Sequence, residues 1–411
     1  MHPRVRVPLG EQAAIDWHAL REQRTFLYRR IADQDRSLLF VEALYTVPAP
    51  VFRDHVATEW YYGHLLYDLK DKLEPMLRSQ RPCPQLPLEQ WSVPRWVIEW
   101  NKAGVHLHAY ENDVAEGLSL CDRLLAFSDR SVERSEPIWE RSVPREVYLD
   151  RAGRLLQHIQ RGDIYEVNFC IERSALLKSF DPFDAFGRIL HGTDAPFAAF
   201  HRIDEHFAIC ASPERFLSFQ QDRVVAQPMK GTRPRNTDPA LDRMVADELR
   251  NDRKERSENI MALDVVRHDL SKFAESSSVK VEELCGIRSY AFVHQMISTV
   301  SARIGRERTP IDVVHACFPM ASMTGAPKYR AMQLIDGSET GRRGLYSGTL
   351  GFFAPDGTGD LNVVIRTVTF NESTGRLSLF TGSALTAKCD PEKEWEECEL
   401  KARSVTDPLR R

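Results

Sequence analysis

From Arg145 onward, helical and strand periodicities alternate along the chain, and that alternation limits the fold more than any other feature of the sequence. Residues 145–160 have helical spacing, with Val147, Leu155, Leu156 and Ile159 on one face. The run ends at the turn Arg161-Gly162-Asp163, and Ile164-Tyr165-Glu166-Val167-Asn168-Phe169 then alternates as a strand does. Further strands are predicted over 197–200, 206–211, 216–219 and 223–225, and helices over 238–250, 257–273 and 326–335. Strands return over 345–353, 362–370 and 376–382. A last helix is predicted to begin near Pro391, with proline in the first turn and Asp390 as its cap. Long strand runs interleaved with helices predict an α+β fold with a large, mostly antiparallel β-sheet core and flanking helices.

The chain has 411 residues, enough for two or three domains or one large sheet-rich unit. A Pro-rich stretch, Arg81-Pro82-Cys83-Pro84-Gln85-Leu86-Pro87, breaks the N-terminal region, and 131–144 reads as a polar linker between an N-terminal part (1–130) and the remaining bulk (145–411). A net charge of -4 argues against a general nucleic-acid or membrane surface. No apolar run is long enough to span a membrane, and no secretory leader is recognisable. Eight scattered cysteines, without C-x-x-C or zinc-type spacing, read as reduced thiols of a cytoplasmic protein.

The segment Gln227-Pro228-Met229-Lys230-Gly231-Thr232-Arg233-Pro234-Arg235 sets one lysine before a Gly-Thr turn and close to two arginines. On its own it reads as a basic surface turn. If functional, Lys230 is either a carboxylate-binding cation or a nucleophile, and Arg233 and Arg235 are then expected to lower its pKa by repulsion.

Six segments, in order over about 250 residues, resemble the chorismate-utilising enzymes. They are Gly162-Asp163-Ile164-Tyr165-Glu166-Val167-Asn168, Ser212-Pro213-Glu214-Arg215-Phe216, the Lys230 segment, Glu258-Asn259 through Leu270, Ser322-Met323-Thr324-Gly325-Ala326-Pro327-Lys328, and Pro391-Glu392-Lys393-Glu394-Trp395-Glu396-Glu397. The N-terminal Gly63-His64-Leu65-Leu66-Tyr67-Asp68 is also similar to the family's first-domain motif. The resemblance implies that 145–411 is a chorismate-binding catalytic region. It also implies a Mg²⁺ cofactor held by Glu258, Glu394 and Glu397, with Glu394, Glu397 and Lys401 sharing one face of the last helix. Lys401 then reaches a substrate carboxylate, as does Arg366 through a forked pair of hydrogen bonds. Glu214 is implied as general acid or base on the ring hydroxyl, which requires burial to raise its pKa. His294 is implied beside the ring. Thr232, Ser322, Thr324 and the backbone of Gly382-Ser383-Ala384 complete the substrate contacts, with Ser322 and Thr324 before a helix N-terminus.

Within the family, the resemblance is to the aminodeoxychorismate synthase component I type. Members that add water at ring carbon 2 carry lysine where Glu166 stands, and anthranilate synthases usually carry alanine at the Lys230 position and threonine at the Ser322 position. The implied reaction is a double displacement in which Lys230 attacks carbon 2, Glu214 helps the 4-hydroxyl leave, and ammonia, delivered by a glutamine amidotransferase subunit, then attacks carbon 4 and expels the lysine. Anthranilate synthase component I, a related aminase of secondary metabolism, and a catalytically silent chorismate- or partner-binding homologue are the alternatives. The chain departs from the family pattern at Glu166 (usually glutamine), His268 (asparagine), Ala321 (glycine) and Ala384 (glycine). If Ala384 replaces a glycine of positive φ, the carboxylate-binding N–H groups shift.

Overall fold

A computed structural model describes residues 4–10, 15–77, 79, 85–126 and 136–410 of the chain. Residues 81–84 of the Pro-rich stretch and 131–135 of the expected linker lie outside them. The architecture is α+β, with twenty strands hydrogen-bonded into one extensive antiparallel system and helices packed on it. The helix expected over 145–160 forms as Arg145–Gln160 and buries Tyr148, Ala152, Leu155 and Ile159. The last helix forms as Pro391–Arg410, and Asp390 Oδ1 accepts a hydrogen bond from the Glu392 N–H at 3.0 Å.

Several expected elements differ in their bounds; the strand expected over 345–353, for one, is Thr349–Phe353. The helix expected from residue 257 starts four residues earlier, as Arg253–Ser271, because Asp252 caps it by accepting from the N–H groups of Lys254 and Glu255. Glu258 therefore lies in its second turn. The strand expected over 362–370 is two strands, Thr358–Asn362 and Thr367–Asn371, separated by a bend in which Arg366 takes φ 50°.

The first hundred residues are built into the same sheet as the rest. Thr25–Ile31 pairs with Arg36–Val47 on one edge and with Ala199–Ile203 on the other, and Tyr61–Leu65 pairs with Thr349–Phe353. A buried ionic junction fastens these strands. Asp360 is 1% exposed and accepts from the fully buried Arg29 at 2.5 Å and from Arg215 Nε at 2.7 Å. Arg215 also forks onto Asp33 at 2.6 and 2.7 Å, and Arg29 donates to the Phe197 carbonyl at 2.9 Å. Removing the shared carboxylate leaves Arg29 buried without its counter-ion and Arg215 with Asp33 alone, which costs more than the pair itself contributes. Asp360→Ala is therefore expected to lose about 3–5 kcal/mol of stability, measured by urea unfolding. A variant within 1 kcal/mol of the parent would show that the junction contributes little.

Candidate active site

The site is assembled around one strand. Glu166–Leu176 runs antiparallel to Arg376–Thr386 for its whole length, from Glu166 opposite Thr386 to Leu176 opposite Arg376. Its first residues also pair with Gly325–Ala326. Gly325 has φ 149°, and a Cβ there would lie 2.1 Å from the Glu166 carbonyl oxygen, so only glycine lets the two backbones meet. This contact fixes where Glu166 enters the site.

Lys230 comes from the strand Met229–Pro234, which bends at Gly231 (φ 87°) where its register with Val293–Arg303 shifts. Its Nζ donates to Glu166 Oε1 at 2.5 Å, and the two side chains are 13% and 7% exposed. Burial pulls the Lys230 pKa down, but the charge and hydrogen bond of Glu166, followed by the charges of Glu258 and Glu214, outweigh it, and the net shift is upward. The expected repulsion from Arg233 and Arg235 is absent. Arg233 pairs with Asp252 at 2.8 Å and with Glu255, and Arg235 pairs with Asp242, so both guanidinium groups are neutralised by acids of the neighbouring helices.

Glu214 is held by its backbone. Its N–H donates to Ser212 Oγ at 3.2 Å, its carbonyl accepts from the Val363 N–H at 3.0 Å, and Ser212 Oγ donates to the Val363 carbonyl at 2.6 Å. Burial raises its pKa to about 7, opposed by the neighbouring Ser322 hydroxyl and the positive charges of Lys230, Lys401 and Arg366. Ser322 Oγ is buried beside it without a hydrogen bond of full geometry, so its influence on Glu214 is that of a nearby dipole.

Among the described residues the Arg366 side chain makes no hydrogen bond or ion pair. Burial pulls its pKa down and the charge of Glu214 opposes that shift. Lys401 Nζ donates to the Gly382 carbonyl at 2.8 Å and pairs with Glu397 at 2.7 Å. Gly382, Ser383 and Ala384 are interior strand residues opposite Cys170, Phe169 and Asn168. Ala384 is not among the residues of positive φ, so alanine fits there without backbone strain.

The implied metal residues lie on two helices, Glu258 on Arg253–Ser271 and Glu394 and Glu397 on Pro391–Arg410, and the charges of all three act on Lys254. Burial raises the Glu394 carboxyl, reinforced by the charge of Glu397, while burial together with Glu166 and Glu255 keeps Glu258 raised against Lys230 and Lys254. Glu397 is net lowered, because Lys401, Lys230 and Lys254 outweigh its burial. Its side chain is nonetheless 49% exposed, so bulk water also screens it. Among the described residues no three acidic, histidine or cysteine side chains converge into a metal-binding group. The three side chains are nonetheless the oxygen donors that a hard divalent cation takes, and Mg²⁺ draws much of its shell from water and substrate.

Three expected contacts are engaged by partners within the protein. His294 is 2% exposed and is held between Ser289 Oγ at 2.8 Å and Asp242 Oδ1 at 2.9 Å, in the same acid group that binds Arg235. Thr324 is fully buried and its hydroxyl donates to the Met320 carbonyl at 3.0 Å. Thr232 Oγ1 donates to Gln295 Oε1 at 2.7 Å. Gln295 also donates to the Gly231 carbonyl at 2.7 Å, so it, and not His294, braces the Lys230 segment. Strand alternation between neighbours 294 and 295 was the signal available for this. Lys254 was missed as well. Its Nζ lies 3.6 Å from Glu258 and it faces Glu255, Glu394 and Glu397, although an i,i+4 pair with Glu258 is readable in the sequence.

With this geometry described, likeness to known proteins adds a class. Residues 12–407 match the family described as chorismate binding enzyme. The chain is 42% identical to the aminodeoxychorismate synthase of Streptomyces griseus over 83% of its own length and 49% of that protein, and 36% identical to anthranilate synthase component 1 of Thermus thermophilus over 64% and 56%. It therefore spans about half the length of these relatives. A crystal structure of anthranilate synthase component I from Streptococcus pneumoniae superposes with a TM-score of 0.77, covering 98% of this chain and 92% of that one at 19% identity, which establishes the shared fold. The chain belongs to the chorismate-binding enzyme family. More particularly, it is related to both aminodeoxychorismate synthases and anthranilate synthases within it.

The raised carboxyl of Glu214 has a measurable consequence for stability. Its folded pKa, about 7, lies above the ordinary 4.5, so the native state holds a proton that the unfolded chain releases. The associated stability is complete below pH 4.5 and is lost as pH rises through 7. Glu214→Gln, which does not titrate, is expected to match the parent at pH 4 and to exceed it by on the order of 3 kcal/mol at pH 8. Parallel urea curves at the two pH values check this, and a pH-independent difference would contradict the buried-acid assignment.

Proposed function

We propose that the protein is a cytoplasmic aminodeoxychorismate synthase component I, converting chorismate and ammonia to 4-amino-4-deoxychorismate, the precursor of 4-aminobenzoate. Ammonia is delivered by a glutamine amidotransferase partner, and residues 145–411 form the catalytic region with 1–130 as its N-terminal part. One observation carries the reading. The charges of Lys230, Lys401 and Arg366 all bear on one buried, neutralisable acid, Glu214. A nucleophile, an acid for the leaving oxygen and two carboxylate anchors are the parts that a double displacement on a dicarboxylate requires.

In this mechanism Arg366 and Lys401 bind the substrate carboxylates, while Ser322, Thr232 and the Gly382-Ser383-Ala384 backbone border the ring. The neutral amine of Lys230 adds to carbon 2, the ring double bond shifts, and the 4-hydroxyl leaves as water with the proton of Glu214. Ammonia then adds to carbon 4, the double bond returns, and the Lys230 amine leaves. Glu258, Glu394 and Glu397 are the side chains that would hold Mg²⁺, which when bound supplies positive charge to the ring carboxylate. His294, engaged with Asp242 and Ser289, positions the neighbouring strand in this reading and takes no part in the chemistry. The 36% identical anthranilate synthase relative supports a second reading, in which ammonia itself adds at carbon 2.

The test is direct. Purified protein with chorismate, Mg²⁺ and ammonium is expected to give 4-aminobenzoate once an aminodeoxychorismate lyase is added; anthranilate formed without the lyase would select the second reading. Lys230→Ala is expected to abolish aminodeoxychorismate formation. Arg366→Ala is expected to raise KM for chorismate roughly tenfold or more, the value of one charge-assisted hydrogen bond.

A further inference from the structure

We propose that Glu166 is the proton acceptor for Lys230, taking one proton from the ammonium before the amine bonds to the ring and returning it when the amine leaves. This deepens the function proposed above and rests on its assignment of Lys230 as nucleophile.

The geometry isolates Glu166 for this task. Its carboxylate is the one hydrogen-bond partner of Lys230 Nζ among the described residues, at 2.5 Å, and both side chains are largely shielded from water. Its backbone is clamped between Thr386 and Ala326, which fixes the point from which the carboxylate reaches Lys230. The other charges facing Lys230 are Glu258 from Arg253–Ser271, Glu214 from the segment before Arg215–Gln220, and Glu397 from Pro391–Arg410. All three act through space, with no hydrogen bond to the amine. Glu214 is also unavailable as an acceptor, because it must still carry its own proton when the 4-hydroxyl departs.

Lys230 as found is an ammonium, and an ammonium has no electron pair to give. In the proposed sequence an N–H bond of Lys230 breaks and its proton joins Glu166, leaving a neutral amine and a neutral carboxyl. The amine pair then forms the N–C2 bond, which leaves the attached nitrogen positively charged and carrying two hydrogens. The C4–O bond breaks with the Glu214 proton. When ammonia adds at carbon 4, the N–C2 bond breaks, its electron pair returns to Lys230, and Glu166 restores the proton. The proton lost by the incoming ammonium ion of product passes to the ionised Glu214. Each carboxyl therefore ends the cycle as it began.

A static ion pair predicts the opposite result on mutation. If Glu166 only locks Lys230 in its charged form, Glu166→Gln frees the amine and raises turnover near neutral pH. If Glu166 accepts the proton, the same variant holds more neutral amine yet turns over more slowly. The experiment uses the full chain, measuring kcat and KM for aminodeoxychorismate formation with ammonium from pH 6 to 9. In parallel, trinitrobenzenesulfonate labelling of Lys230 is followed by peptide mass spectrometry over the same range, a readout that needs no turnover. Glu166→Gln is expected to lower kcat about 100-fold with little change in KM, while shifting the Lys230 labelling midpoint to lower pH. Glu166→Asp is expected to recover part of the kcat. An equal or higher kcat in Glu166→Gln overturns the proposal. Inactive Lys230→Ala beside fully active Glu166→Gln overturns the role of Glu166 alone, whereas fully active Lys230→Ala overturns the nucleophile assignment and the Glu166 role together.

Discussion

The antiparallel pairing of Glu166–Leu176 with Arg376–Thr386 is the constraint on which the rest of the site depends. Side chains alternate across a strand, so a slip of one residue would turn Glu166 away from Lys230 and present Val167 instead. The slip is blocked at three places. Phe169 and Ile171 are fixed in the apolar cluster with Tyr148, Leu155 and Trp395. The Asn168 amide donates to the Ser322 carbonyl at 3.0 Å, and the Asn168 carbonyl accepts from Arg343 at 2.9 Å. Arg343 is itself buried against Glu339, which also accepts from the Cys170 N–H at 2.9 Å. Hydrophobic contact on one face and buried polar bonds on the other thus impose the same register.

On that frame, desolvation and pairing sort otherwise similar groups into different states. Glu214 and Glu166 are both deeply buried carboxyls near Lys230. Glu166 has the ammonium in direct hydrogen-bond contact, whereas Glu214 has only the charges of more distant cations and the dipole of Ser322, so its burial wins and its proton stays to near neutral pH.

Much of the fold was legible in the sequence because its periodicities are local. The Arg145–Gln160 helix and the Asp390 cap before Pro391 depend on residues a few positions apart, and both form as read. The errors are where distant partners decide. Arg233 and Arg235 read as neighbours of Lys230, but Asp252 and Asp242, on helices that follow, take them. His294 and Gln295 were separable only by knowing which face of the strand meets Lys230, and the register shift at Gly231 hides that from a count of alternation. The Arg253–Ser271 start was missed because 251–256 is uniformly polar, and the capping role of Asp252 carries no apolar period to mark it.

At Arg366 the side chain was legible in the sequence but the backbone that presents it was not. A non-glycine residue at φ 50° costs on the order of 1 kcal/mol or more, and its half-buried guanidinium has no protein partner among the described residues to offset that cost. Lys401, by contrast, already donates to Gly382 and pairs with Glu397, so a ligand must compete for it. The strain at Arg366 is imposed from outside, by the Ala211 N–H on its carbonyl at 3.1 Å and by the strands Thr358–Asn362 and Thr367–Asn371 that anchor the bend on both sides. A residue held this way cannot relax to find a partner within the fold. Its guanidinium therefore keeps its donors free of partners among the described residues, the state in which a forked pair of hydrogen bonds to a carboxylate costs no competing contact.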